Sequence, residues 1–171
     1  MKRLAVLRHA KSSWDQADLE DINRPLNERG WKAARKIGNA LERRGLDFDS
    51  VLASPAARVR ETIDAVRERF KLEAPVQFEP RIYLAEVEQL LEIVRDLPET
   101  VQRPLLVGHN PGLERLVSLL TIDDEEHLRQ RVAHKFPTGA FALVELPQDR
   151  WKKIEPGTGR MIELILPHDL D

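Results

Sequence analysis

Three short apolar runs set the terms for any fold this chain can adopt. Leu4-Ala5-Val6-Leu7, Val51-Leu52-Ala53 and Leu105-Leu106-Val107 are unbroken by polar residues, the pattern of strands buried on both faces of a parallel sheet. Val76-Gln77-Phe78 is a weaker fourth. The segments between them have helical period. From Asn27 to Arg44, Gly30, Ala34, Ile37 and Leu41 share one face, and Gly45 supplies the stop. Val59, Ile63, Val66 and Phe70 form the next stripe, with Ser54 as N-cap and Pro55 as first helical position. Leu84, Val87, Leu91 and Val94 make a third stripe, ending before Pro98. Asn110-Pro111 repeats the cap-plus-proline start ahead of Leu113, Leu116, Val117 and Leu120, and a weaker helix covers 123–135. The C-terminal part changes character. Residues 139–146 and 161–166 read as strands around a hairpin turn at Gly157-Thr158-Gly159, with a further short strand at 151–154. This alternation predicts a three-layer α/β/α sandwich with a mostly parallel sheet and a β-rich C-terminal edge. With no repeat, low-complexity stretch or linker, residues 1–171 read as a single domain.

Composition narrows the function classes. The chain has 27 Lys and Arg against 29 Asp and Glu, a formal net charge of −2, which lacks the electrostatic footprint of a non-specific nucleic-acid binder. With no cysteine, a disulfide framework, thiol catalysis, iron–sulfur clusters and Cys-ligated zinc are excluded. No apolar run approaches the ~20 residues of a membrane span, and the apolar stretch before Arg8 is too short for a signal-peptide core. The expectation is a cytoplasmic protein without membrane or nucleic-acid partners. Few apolar runs are left for the surface, so a monomer is expected.

The chemistry converges where strands end. The first apolar run leads into Arg8-His9, the second into Ser54 and Arg58, and the last into Gly108-His109-Asn110. In an open α/β sheet, ligands bind outside the carboxyl ends of the strands. If these strands are neighbours, Arg8, His9, Arg58 and His109 face one crevice, close to two helix N-termini. Two arginines, two histidines and two helix starts describe a site for a dianion, most simply a phosphoryl group. Taken singly, each is an ordinary surface arginine or structural histidine; the joint placement at three strand ends is what singles them out.

Four ordered motifs carry a family resemblance: LRHAKSSW near the N-terminus, RPLNERG at 24–30, SPAARVRET at 54–62 and VGHNPGLE at 107–114. Together they resemble the histidine phosphatase superfamily, and more narrowly its bacterial SixA-type phosphohistidine phosphatases. FPTGAFALVEL at 136–146 resembles the same branch. The resemblance implies a phosphoglycerate mutase-like fold and a metal-independent phosphatase with no cofactor, acting on a phosphohistidine-bearing protein such as a phosphotransfer domain. It implies that His9 is the nucleophile, becoming transiently phosphorylated, while Arg8, Arg58 and His109 hold the equatorial oxygens, His109 helping most when protonated. Arg-His-Ala stands here where the superfamily usually has Arg-His-Gly, so position 10 needs a backbone that tolerates a Cβ.

An ester phosphatase also needs a proton donor for its leaving alkoxide. Glu79, Glu86 and Glu88 lie in the segment where the superfamily's acid is found, yet IYLAEVEQLL resembles the SixA-type segment that lacks one. Two alternatives stay open: a small-molecule phosphate ester phosphatase using Glu86 or Glu88 as acid, and a non-catalytic phosphoprotein-binding module. Lys11 and Arg24 are candidates for extending the positive rim of the substrate site. Asp15 orients a partner or caps a turn, and Thr138 borders the pocket. Trp14 and Trp31 read as packing anchors. His127 and His134 have no carboxylate set that would make a metal site, and His168 belongs to a polar tail.

Overall fold

Alternate residues of the apolar runs go to opposite faces of one six-stranded sheet. The computed structural model describes residues 1–124 and 126–170. Its strands are β1 (Lys2–Arg8), β2 (Ser50–Ala53), β3 (Val76–Phe78), β4 (Pro104–Gly108), β5 (Phe141–Leu146) and β6 (Arg160–Ile165), in the spatial order β3-β2-β4-β1-β5-β6. The first four run parallel. β5 pairs antiparallel with β1, and β6 antiparallel with β5, which makes the C-terminal edge. Leu4, Val6 and Leu106 join one core beneath α3 (Val87–Arg95), α4 (Gly112–Leu120) and α5 (Leu128–His134). Ala5, Leu7, Val51, Ala53, Leu105 and Val107 join the other beneath α1 (Glu28–Arg43) and α2 (Ala57–Arg67). Burial on both faces is why these strands carry no polar alternation. The result is the expected sandwich of α/β/α layers. Among the described residues no helix is long and apolar enough to cross a membrane.

Helix α1 begins as the sequence indicates: Asn27 Oδ1 accepts from Gly30 N–H at 2.8 Å, and Gly45 takes a φ of +63° just past its end. The start of α2 is different. Ser54 does not cap it and Pro55 is not its first residue; the helix opens at Ala57 with Ala56 as N-cap. Ser54 Oγ is instead in contact with His109 Nε2 at 2.7 Å, so a residue of capping type serves a neighbouring strand's histidine. The third stripe also shifts. Leu84 lies outside α3, and the face that α3 buries is Leu90, Ile93 and Val94. Pro111 occupies the N-cap position of α4, while Asn110 Oδ1 accepts from Glu114 N–H at 3.2 Å. The weak helix over 123–135 shortens to α5; its Glu125 lies outside the described residues.

Residues 151–154 form no strand: Trp151–Lys153 is a 3-10 turn whose Trp151 is fully buried. Gly157-Thr158-Gly159 is not a tight hairpin either. It ends the long connection between β5 and β6 and is tied to α4, with Gly157 N–H donating to Leu119 O at 2.8 Å and Gly159 N–H to Leu120 O at 2.7 Å.

Candidate active site

The parallel pairing Arg8↔Gly108 and Ala53↔Val107 sets the carboxyl ends of β1, β4 and β2 side by side. A cleft of about 570 Å³ opens there, lined by Arg8, His9, Arg58 and His109 among others. All four strand-end residues are thus brought together, with His9, Arg58 and His109 at most 7% exposed.

His9 is fixed at the backbone and at the ring. Its N–H donates to Gly108 O at 3.1 Å, and its carbonyl accepts from Gly139 N–H at 2.9 Å. Ring Nδ1 lies 2.7 Å from Ala10 O; since a carbonyl only accepts, Nδ1 carries the proton and Nε2 keeps the lone pair. Burial, aided by the positive field of Arg58, Arg8 and Arg24 and opposed by the Ala10 hydrogen bond, pushes the pKa of His9 down to about 4. The ring is therefore neutral near pH 7. Ala10 has no positive φ, so the Cβ that replaces the superfamily's glycine meets no conformational obstacle. Its N–H donates to Thr62 Oγ1 at 2.9 Å, and that hydroxyl donates to Arg58 O at 2.6 Å, tying the His9 loop to α2.

His109 is held by two groups. An arginine can only donate, so Nδ1 accepts from Arg58 Nη2 at 3.3 Å, leaving Nε2–H to donate to Ser54 Oγ at 2.7 Å. Burial, then the charge of Arg58, lowers its pKa to about 3. Among the protein's own groups it is neutral, and a phosphoryl dianion beside it acts in the opposite direction, toward the protonated form.

Asp21 organises the cations, and no sequence motif marks it for that role. Arg58 donates through Nη1 to its carbonyl at 2.8 Å and through Nη2 to Oδ2 at 3.0 Å. Arg24 Nε donates to Oδ1 at 3.0 Å, and Tyr83 Oη to Oδ2 at 2.5 Å. Desolvation opposes ionisation here, but the hydrogen bonds from Tyr83, Arg24 and Arg58 prevail and hold the Asp21 carboxyl down to about 2. Asp21 opens a 3-10 turn, Tyr83 closes another and Ser54 follows β2, where no hydrophobic periodicity marks them. Arg8 Nη1 donates to Phe136 O at 3.1 Å, and neither Arg8 Nε nor Arg58 Nε has a partner among the described residues.

Of the other candidates, Lys11, Arg24 and Thr138 line the cleft. Arg24 is largely committed to the protein: besides Asp21 it binds Ser12 Oγ at 2.8 Å and Ser13 O at 3.1 Å. Trp14 is no packing anchor, being 76% exposed and stacked on Arg24 at the cleft. Trp31 is half-buried against the α1–α2 core as expected. Glu86, the N-cap of α3, and Glu88 in its first turn are exposed and do not line the cleft, and Glu79 is paired with Arg81 at 2.7 Å. Asp21 is the only carboxylate among the described lining residues. No group of three or more metal-ligating side chains is arranged around a common centre among the described residues.

The histidine phosphatase superfamily (branch 1) profile matches residues 4–88. The crystal structure of SixA from Agrobacterium tumefaciens is 30% identical and superposes with a TM-score of 0.80, covering 97% of this chain and 98% of that one. A protein histidine phosphatase SixA complexed with tungstate has the same fold, with a TM-score of 0.80, 23% identity and 99% of each chain covered. A chloroplastic protein of Arabidopsis thaliana, itself uncharacterized, is 34% identical over 179 residues, 97% of this chain and 78% of its own length.

Proposed function

The chain belongs to the histidine phosphatase superfamily as a SixA-type phosphatase, and from that premise we propose that it hydrolyses phosphohistidine on proteins through a phosphorylated His9, as one domain over residues 1–171. Nε2 of neutral His9 attacks phosphorus in line. The P–N bond to the substrate imidazole breaks, and that imidazole leaves with a proton from solvent. Water then attacks phospho-His9, releasing phosphate and returning the lone pair to Nε2. Arg8 and Arg58 neutralise the equatorial oxygens, and His109 donates to the third when the dianion raises its pKa. Charge is balanced by side chains of the chain itself, so no metal or cofactor is needed.

One observation carries the choice of substrate. Asp21, the one carboxylate among the described lining residues, stays ionised down to about pH 2 between Tyr83, Arg24 and Arg58, so it cannot protonate a leaving alkoxide. A phosphoramidate needs no such donor, because imidazole is protonated readily from water. This favours phosphohistidine over an alkyl ester, and Glu86 and Glu88 stand outside the cleft.

The test is phosphate release, with EDTA present, from a phosphohistidine protein beside an alkyl and an aryl phosphate. The phosphohistidine protein is expected to be preferred, and His9→Ala to lose at least about a thousandfold while staying folded. Preference for the alkyl ester, or turnover retained in His9→Ala, would overturn the reading; binding without release would make the chain a phosphoprotein-binding module.

A further inference from the structure

Two large apolar side chains stand in solvent at the mouth of the cleft, and each is held there by an identifiable cause. Trp14 is 76% exposed, yet one face of its indole is covered by the Arg24 guanidinium, 3.5 Å from the ring centroid. Arg24 is itself buried and fastened to Ser12, Ser13 and Asp21, so the ring rests on a fixed support and presents its other face outward. Leu84 is 55% exposed with a φ of +51°, a region that leucine enters only against its steric preference.

The neighbours of Leu84 impose that conformation. Ile82 and Ala85 are buried in the core, Ala85 N–H donates to Ile82 O at 3.2 Å, and the Tyr83 hydroxyl is bound to Asp21. The Ala85 carbonyl lies so close to Gly112 that a Cβ there would stand 2.4 Å from it. The segment is held from both sides, and the Leu84 side chain is turned into the cleft mouth. Backbone strain of this kind, held in place by surrounding packing, clusters at functional sites.

Charge completes the rim. Lys11 and Lys135 line the same cleft and are exposed, with no ion-pair partner among the described residues. Asp21, the one carboxylate among the described lining residues, is engaged by Arg24 and Arg58. A small phosphate ester would engage the arginines and histidines at the floor and leave Trp14, Leu84 and both lysines in water. An exposed tryptophan and an exposed leucine within a cationic frame instead match the anchor-and-rim anatomy of a protein interface.

We propose that Trp14 and Leu84, flanked by Lys11 and Lys135, form a docking rim for a folded protein whose phosphohistidine lies on an acidic surface beside an exposed apolar side chain. The inference rests on the phosphohistidine reading above and adds the chemistry of the partner's face to it. Electrostatic attraction to the two lysines orients the encounter, and apolar contact with Trp14 and Leu84 holds it while the phosphoryl group reaches His9.

The test compares kcat/KM on two substrates that share the same P–N bond and leaving group: a histidine-phosphorylated phosphotransfer protein with carboxylates around its phosphohistidine, and free phosphohistidine. Their ratio reads the docking surface alone. Leu84→Asn keeps a residue that tolerates positive φ and removes the apolar contact, so a folding defect does not confound it; Trp14→Ala removes the other anchor. Each is expected to lower the protein-to-free ratio by about tenfold or more, through KM. Combining Lys11→Glu with Lys135→Glu is expected to lower it further and to flatten its decline with salt. A ratio unchanged in both Leu84→Asn and Trp14→Ala, or a wild-type ratio near one, overturns the rim and leaves the phosphohistidine reading standing. Failure of the wild type to hydrolyse either substrate overturns that reading itself.

Discussion

His9 and His109 stand with ring centroids 5.3 Å apart beside the buried guanidinium of Arg58 and the half-buried Arg8, and the same environment acts on them in two ways. Desolvation and positive charge disfavour the imidazolium in both, so His9 keeps the lone pair a nucleophile needs. The Ala10 carbonyl decides which nitrogen carries it. The expected consequence is visible in an NMR titration of the His9 ring: Nδ1–H, Nε2-unprotonated imidazole should persist from neutral pH down to about 5, with a midpoint near 4. A midpoint near 6.5 would show that the ring is solvated and that its neutrality is not imposed by the site. Of the residues around it, Arg8, His9, Arg58 and His109 are legible in the sequence because each follows an apolar run or opens a helix. Asp21 and Tyr83 are not, and Ser54 is legible only as a strand end and helix cap. Asp21 pairs locally with Arg24, but the contacts Asp21–Arg58, Tyr83–Asp21 and Ser54–His109 span 37, 62 and 55 positions, and no local pattern encodes such a pairing.

At the scale of elements, the contact between α1 and the His9 loop depends on one glycine. A Cβ at Gly30 would stand 2.1 Å from the Lys11 carbonyl oxygen, and the same carbonyl accepts from Asn27 N–H at 3.0 Å. Backbone meets backbone there, so no side chain can give way. Gly30→Ala should cost about 1–3 kcal/mol in a denaturation experiment, and it should reduce kcat by more than that loss of stability explains, since the displaced loop carries the nucleophile. Wild-type stability in Gly30→Ala would show that the loop is free to move. The same RPLNERG motif is thereby accounted for: Arg24 anchors Ser12, Asn27 caps α1, and Gly30 permits the approach. Elsewhere local rules are overridden. Ser54-Pro55 has the composition of a helix start, but burial beside β4 gives Ser54 a stronger claim from His109. Leu84 fits the period of α3, but the fixed positions of Ile82 and Ala85 expel it from the core.

For the whole molecule, placing neutral histidines in the interior links stability to pH. In the unfolded chain both titrate near 6.5, whereas in the folded protein they titrate near 4 for His9 and 3 for His109. Between these values the unfolded state binds more protons, so their contribution to stability is complete above about pH 6.5 and falls as pH drops toward 4. For His9 alone the loss amounts to a few kcal/mol. Denaturant midpoints at pH 7.5 and 5 should therefore differ, and His9→Ala should reduce the difference; identical midpoints would contradict burial of neutral rings. Asp21 has the opposite relation between its two forms and adds a loss only when pH falls from about 3.8 toward 2. The sequence alone determined the layered α/β architecture, the parallel centre of the sheet and the four strand-end residues, because hydrophobic period and strand termini are local properties of the chain. Tertiary structure decided which histidine nitrogen is free, how Asp21 gathers Arg24, Arg58 and Tyr83, and why Trp14 and Leu84 face solvent. Asp21 meets Arg58 and Tyr83 because groups distant in sequence are forced together, and the rest depends on the burial and backbone constraint that only packing creates.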